Sequence, residues 1–176
     1  MGRIRGRILP IETRPGQYAN VFLGVPYARP PVGNLRFERP EPAQLWFDSP
    51  EFRDGYPVLL WIHGGAFVAG SSTEFGVQNI VDNLVARDVV VVTFNYRLGV
   101  LGFLTTEDDA AMGNYGLWDQ VEAMKWVRDN IATFGGDSNK VTIIGESAGA
   151  ASVFLHLVSP HSRVHFTALT VDNLAL

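Results

Sequence analysis

The stretch Gly145-Glu146-Ser147-Ala148-Gly149 constrains this chain most, because it joins an apolar β-branched run, Val141–Gly145, to a compact apolar helical segment, Ala148–Val158. A strand that turns into a helix within a residue or two must bend where a Cβ would collide. Glycines two positions either side of Ser147 remove that obstacle, and Ala148, Ala150 and Ala151 keep the bend uncrowded. The serine hydroxyl is thereby pushed out at the carboxyl end of its strand, where open α/β sheets bind ligands. Two other runs, Val58–Ile62 and Val89–Phe94, have the same continuous β-branched character, as in strands of a parallel sheet covered on both faces. Helical segments separate them. Gly116–Phe134 sets Leu117, Val121, Met124, Val127 and Ile131 on one apolar stripe that Gly135-Gly136 ends, and Asn79–Arg87 predicts a shorter helix. Strand alternating with helix gives the α/β class: a mostly parallel sheet with flanking helices and right-handed crossovers.

Ahead of this unit, Arg3 to Leu23 alternates apolar and polar residues across a turn-rich Glu12-Thr-Arg-Pro-Gly-Gln stretch, which predicts an N-terminal antiparallel hairpin. Arg3, Arg5 and Arg7 share its solvated face. Residues 24 to 50, rich in proline and glycine, predict an irregular loop. With 176 residues, 47% of them hydrophobic, the chain can bury one sizeable core as a single domain over 1–176. A net charge of −4 and scattered basic residues argue against a nucleic-acid partner. No window reaches the roughly 18 continuous apolar residues of a membrane span. The arginine-rich start has no apolar run behind it as a secretion signal would, and Gly6 breaks the myristoylation pattern at Met1-Gly2. Zero cysteines exclude disulfide and thiol chemistry. With no glycosylation sequon either, the chain fits an intracellular protein or a fragment, and the compartment stays open. No metal site, cofactor loop or phosphate cradle is visible, so the expectation is no metal and no cofactor.

A second glycine-bearing segment, His63-Gly64-Gly65-Ala66-Phe67, follows the Val58–Ile62 run directly. Consecutive glycines expose backbone N–H groups, and two or three such donors are what a tetrahedral oxyanion needs. Gly64 and Gly65 supply two, and Ala148, the residue after Ser147, a third. Removing one donor from such a hole typically costs about 2.7–4 kcal/mol in the transition state. His63 opens this loop as a structural anchor bonded to backbone and receives no proton-transfer role. A complete triad would need an acid and then a histidine after the serine. Only Asp172 among carboxylates, and His156, His161 and His165, follow Ser147, and all three histidines precede the acid. His156 lies nine residues along the helix that Ser147 starts, about 13–14 Å away at 1.5 Å per residue. All three are read as non-catalytic.

Several motifs together carry a resemblance: Phe22-Leu-Gly-Val-Pro-Tyr-Ala-Arg-Pro-Pro-Val-Gly-Asn-Leu-Arg-Phe37, Trp61-Ile-His-Gly-Gly-Ala-Phe67, Asn95-Tyr-Arg-Leu-Gly99, Gly113-Asn-Tyr-Gly-Leu-Trp-Asp-Gln120 and Phe134-Gly-Gly-Asp137. In that order they resemble the type B carboxylesterase/cholinesterase family, over residues 3 to about 163. The resemblance implies a partial α/β-hydrolase fold and a small-molecule carboxylic ester as substrate. It makes Ser147 the nucleophile, places Gly64, Gly65 and Ala148 in the oxyanion hole, and has Glu146 lining the site. Members of that family are much longer, with their catalytic glutamate and histidine well downstream. They also usually carry several dozen residues after the position of Trp46, including the first disulfide loop and the aromatic choline-binding residue. Val164–Leu176 is read as a divergent tail. An alternatively spliced or truncated product of an esterase gene is therefore expected to be nearly inactive alone. The alternative is a non-catalytic isoform acting as a binding or regulatory fragment, in the manner of the family's adhesion members. A chain that ends soon after the nucleophile strand is expected to leave a sheet edge open to self-association or a protein partner.

Overall fold

The computed structural model describes residues 4–43 and 55–172. Trp46, Arg3 and the end of the tail lie outside the described residues. In chain order the elements are β1 (Arg7–Pro10), β2 (Tyr18–Val21), β3 (Tyr56–Ile62), α1 (Val77–Asn83), β4 (Val90–Thr93), α2 (Gly99–Phe103), α3 (Tyr115–Asn130), β5 (Gly136–Glu146), α4 (Ala148–Val158) and β6 (Ala168–Asp172). The hairpin β1–β2 is antiparallel, and Arg5 and Arg7 are exposed as the alternation predicts. The main sheet is parallel throughout in the order β4-β3-β5-β6.

Element types follow the sequence pattern, while boundaries move. The helix expected over Asn79–Arg87 divides into α1 and a 3-10 turn at Val85–Arg87, because Asp88 at φ 61° turns the chain back towards β4. The helix expected over Gly116–Phe134 is α3 followed by a 3-10 turn, Ile131–Phe134, which Gly135 ends at φ 84°. The β-branched core of β5, Val141–Gly145, is extended backward to Gly136, where Gly55 and Gly136 let β3 and β5 converge.

At β3 and β5 one face of the sheet is fully covered. Val58, Leu60 and Ile62 of β3 and Val141 and Ile143 of β5 bury completely against Met124 and Val127 of α3, Ile131 and Val153 of α4. The other face is only half covered: Leu59, Trp61, Thr142 and Ile144 remain partly accessible, with Trp61 edge-on to Phe75 at 5.0 Å. Burial on both faces, expected from the continuous apolar runs, thus gives way in β3 and β5 to period-two alternation between buried and half-buried positions, while β4 is half-buried throughout.

The proline-rich segment carries only a 3-10 turn at Gly33–Leu35 and an isolated antiparallel bridge, Ala28↔Pro42, and a buried ion pair ties it to the rest of the chain. Arg97 donates through Nε and Nη2 to the two Asp119 carboxylate oxygens at 2.8 and 2.7 Å, and also to the carbonyls of Arg36 and Glu38 at 2.9 and 2.8 Å. Such a bidentate pair fixes geometry, and removing either partner would strand a buried charge. The Tyr27 hydroxyl adds a bond to the Asn95 carbonyl at 2.8 Å. At the other side of the sheet β6 pairs with β5 from Thr142↔Ala168 to Glu146↔Asp172, so the open edge lies one strand beyond the serine-bearing strand, at β6, which has no further partner strand among the described residues.

Candidate functional site

Ser147 occupies the single residue between β5 and α4, at φ 55° and ψ −120°. For a residue with a Cβ that conformation is sparsely populated and costs about 1–3 kcal/mol. A serine at a helix N-cap ordinarily adopts extended backbone angles and caps an N–H of the first turn. Here the backbone angles are not extended, and the side chain makes no cap bond. Ser147 is exposed, and its Oγ forms no hydrogen bond with the described residues.

The flanking glycines earn their place through close approach. A Cβ on Gly145 would overlap the Gly149 carbonyl group, and one on Gly149 would overlap the Ile62 carbonyl oxygen, so the start of α4 is pressed onto the end of β3. That contact brings the second glycine segment to the serine. A Cβ built on Gly64 would lie 3.1 Å from Ser147 Cβ, 2.7 Å from the Glu146 carbonyl oxygen and 2.8 Å from Glu146 Oε2. Ser147, Gly64, Glu146 and Ala148 therefore share one end of the sheet, at the carboxyl ends of β3 and β5. Gly65, the next residue, takes φ 102°.

The loop after β3 is tightly wound. Val68 and Ala69 both donate to the Gly65 carbonyl at 3.0 Å, and Ala66 and Phe67 take positive φ of 53° and 60°. Gly99 N–H ties the loop to α2 by donating to the Phe67 carbonyl at 2.7 Å. Among the described residues no backbone carbonyl accepts from the N–H of Gly65. Ala148 starts α4, so its N–H has no partner within the helix.

His63 is 1% exposed, its Nδ1 lies 2.9 Å from the Gly64 carbonyl oxygen, and its ring stacks on Tyr96 at 4.4 Å. The Tyr96 hydroxyl, whose pKa burial pushes up to about 12, donates to the His63 carbonyl at 2.8 Å. The remaining histidines stand away from Ser147. His156 Nε2 donates to the Gln120 amide oxygen at 2.7 Å and Nδ1 lies 3.0 Å from Ser162 Oγ; burial holds its pKa down at about 4. Gln120 in turn donates to Ser152, whose hydroxyl donates to the Ala148 carbonyl at 3.0 Å. His161 lies against the Trp118 ring, and His165 Nδ1 is 2.9 Å from Arg128 Nη1, with burial and then the guanidinium lowering its pKa.

Sequence reasoning missed Tyr96 and the Gln120–Ser152–His156 network. The signal for Tyr96 is the Asn95-Tyr-Arg-Leu-Gly99 motif, which does not by itself point to His63. Gln120 likewise ends the Gly113-Asn-Tyr-Gly-Leu-Trp-Asp-Gln120 motif, and its bonds to His156 and Ser152 span 36 and 32 residues. Among the described residues no group of three or more histidines and carboxylates could hold a metal ion. An open concavity of about 460 Å³ is lined by Arg29, Pro30, Val32, Gly33, Asn34 and Leu35, and none of the candidate residues borders it.

Comparison with known proteins adds ancestry to this geometry. A family model described as "Carboxylesterase family" matches residues 1–51 and 47–171. Esterase cest-33 of Caenorhabditis elegans is 40% identical over 186 residues, which cover 81% of this chain and 34% of that protein. Juvenile hormone esterase of Tribolium castaneum is 45% identical over 181 residues, covering 81% and 30% respectively. Cocaine esterase of Oryctolagus cuniculus is 37% identical over 222 aligned positions, covering 98% of this chain and 41% of its own length. Because 222 positions exceed the 176 residues of this chain, the rabbit protein carries residues with no counterpart here. The family match breaks into two pieces meeting at 47–51, which is where the sequence led us to expect a gap. Among solved structures, a thermophilic PNB esterase superposes with a TM-score of 0.72 at 38% identity, covering 83% of this chain and 38% of its own. The chain spans about a third of the length of the relatives it matches.

Proposed function

Because the chain belongs to the carboxylesterase family, we propose that Ser147 is a nucleophile for carboxylic ester hydrolysis, with the N–H groups of Gly64, Gly65 and Ala148 receiving the developing oxyanion. The observation that carries this reading is the contact between the two glycine segments, since Gly64 abuts both Ser147 and Glu146. In the reaction, Ser147 Oγ would attack the ester carbonyl and the carbonyl oxygen would take the negative charge. Collapse would expel the alcohol and leave an acyl group on Ser147, which water then removes. Amide hydrogens already fixed before substrate arrives stabilise the charge without reorganisation. Glu146, half-buried beside Gly64, would line the site next to the bound ester.

The attacking hydroxyl must lose its proton, and among the described residues no histidine is bonded to Ser147. His156 is engaged by Gln120 and Ser162, and His165 by Arg128. A base and its orienting acid would come from outside these residues, so the 176 residues alone are expected to turn esters over slowly. Loss of a triad member in a comparable serine hydrolase costs on the order of 10⁴ to 10⁶ in turnover. Hydrolysis of a chromogenic short-chain ester, compared with Ser147→Ala, tests both halves. A small serine-dependent rate supports the proposal. A rate unchanged by Ser147→Ala removes the nucleophile assignment, and ordinary enzyme rates remove the claim of weak activity.

One observation favours the second reading, a non-catalytic fragment that binds a partner. Phe154, Leu155 and Val158 form an exposed apolar stripe on α4, at 54%, 43% and 61% exposure. A monodisperse monomer with little dye-accessible apolar surface would contradict that reading.

A further inference from the structure

We propose that His63 is a positioning residue for the oxyanion donors: by donating from Nδ1 to the Gly64 carbonyl it sets the plane of the Gly64–Gly65 peptide and aims the Gly65 N–H into the cleft beside Ser147. This rests on the esterase reading for its purpose, though its geometry stands apart from it. A trans peptide unit is planar, and its C=O and N–H point in opposite directions. Holding the Gly64 oxygen at 2.9 Å on the His63 side therefore turns the Gly65 N–H the other way. That peptide joins two glycines, the residues with the least steric resistance to a flip, so something other than side-chain bulk has to fix its orientation.

The ring is itself held by two neighbours. Tyr96 stacks on it at 4.4 Å and 22° and, through its hydroxyl, bonds the His63 carbonyl at 2.8 Å. Gly70, at φ 102°, leaves room for it: a Cβ there would sit 2.6 Å from Nδ1 and 2.5 Å from the Gly64 oxygen. The choice of imidazole is telling. With a carbonyl as its partner, Nδ1 must carry a proton, and Nε2 is left buried with no partner among the described residues. Phenylalanine would stack on Tyr96 equally well and bury no unpaired nitrogen. A histidine retained at that cost is explained by the one bond phenylalanine cannot make.

The test uses the whole chain, uniformly ¹⁵N-labelled, with His63→Phe, which keeps a ring on Tyr96 and loses the donor, and His63→Asn, which keeps an N–H near the Nδ1 position. In the wild-type chain a long-range proton–nitrogen correlation is expected to place the ring proton on Nδ1. In His63→Phe the Gly65 amide resonance should shift or broaden while that of Ala148 holds, and His63→Asn should restore it. Labelling of Ser147 by a fluorophosphonate should slow by about 10²–10³ in His63→Phe, the usual effect of losing an oxyanion donor, and recover in His63→Asn. A role confined to packing would move thermal stability equally in both variants without separating their labelling rates. A wild-type ring proton confined to Nε2, a Gly65 amide indifferent to His63→Phe, or unchanged labelling overturns the proposal. If His63→Phe fails to fold, the wild-type tautomer and the His63→Asn amide pattern decide. Should no variant label Ser147 while the Gly65 amide responds as expected, the positioning stands and the esterase reading fails instead.

Discussion

Gly65 and Gly70, in the loop after β3, both take φ of 102°, whereas Gly145 and Gly149, around the turn after β5, have no positive φ at all. In the first segment glycine answers a demand of backbone conformation as well as of space; in the second it answers space alone. The left-handed conformation that the second turn also requires falls on Ser147, at φ 55°. A pattern of two glycines around a serine therefore places the strain on the serine and the crowding on its neighbours. Each segment is also secured by a buried histidine: His63 on the Gly64 carbonyl, and His156 through Gln120 and Ser152 on the Ala148 carbonyl.

The largest expected effect separates crowding from conformation. Gly149→Ala drives a Cβ into the Ile62 carbonyl oxygen, where backbone on both sides prevents relaxation. It should cost about 3 kcal/mol or more, as a lowered urea midpoint, or prevent folding outright. An effect below about 1 kcal/mol would mean that α4 does not press on β3 as described.

Next comes the histidine of the second turn. Burial holds His156 at about 4 in the folded chain, below the ordinary histidine value of about 6.5 in the unfolded one. Above pH 6.5 both states are neutral there and nothing is lost. As pH falls from about 6.5 to about 4 the unfolded state takes up a proton that the folded state refuses, so stability drops by up to about 3 kcal/mol. Urea titrations at pH 7, 5.5 and 4.5 should show this slope, and His156→Asn should flatten it. A slope untouched by that substitution would assign the acid sensitivity elsewhere.

Relieving the strain on the serine is a smaller effect with the opposite sign. Ser147→Gly should stabilise the chain by about 1 kcal/mol while abolishing any covalent labelling at 147, the trade expected where strain is stored at a reactive position. Destabilisation would show that the φ of 55° is not a strained one in this setting. Similar in size but opposite in sign is Gly135→Ala at φ 84°, with no atom within 4 Å of the added Cβ. Conformation alone is at issue there, and about 1 kcal/mol is expected from thermal unfolding. A loss matching that of Gly149→Ala would erase the distinction between the two kinds of glycine.

Where the chain's local pattern and its tertiary role agree, the sequence was legible. The β-branched runs of β3, β4 and β5, the stripe on α3 and the abrupt passage from β5 into α4 each carry their own periodicity. β6 was not visible, because Ala168–Asp172 is short and takes its strand character from pairing with β5. Half-covered strands were read as fully covered, since a continuous apolar run cannot say how much of its second face another layer meets. At the site, the serine turn and the glycine pair could be named from composition and placement. Tyr96 could not, because its role depends on β4 lying beside β3, which brings a residue 33 positions away onto His63. The ion pair of Arg97 and Asp119 was hidden for the same reason: a contact across 22 residues has no periodic trace.

The claim underlying the account is that the Ser147 hydroxyl faces donors carried by Gly64 and Gly65. Treating the purified chain with an organophosphonate and sequencing the modified peptide by mass spectrometry addresses it directly. The account predicts slow covalent capture at Ser147, lost in Gly64→Ala, whose Cβ would crowd Ser147 and Glu146. Capture at another serine, or capture at Ser147 at the same rate in Gly64→Ala, would contradict it.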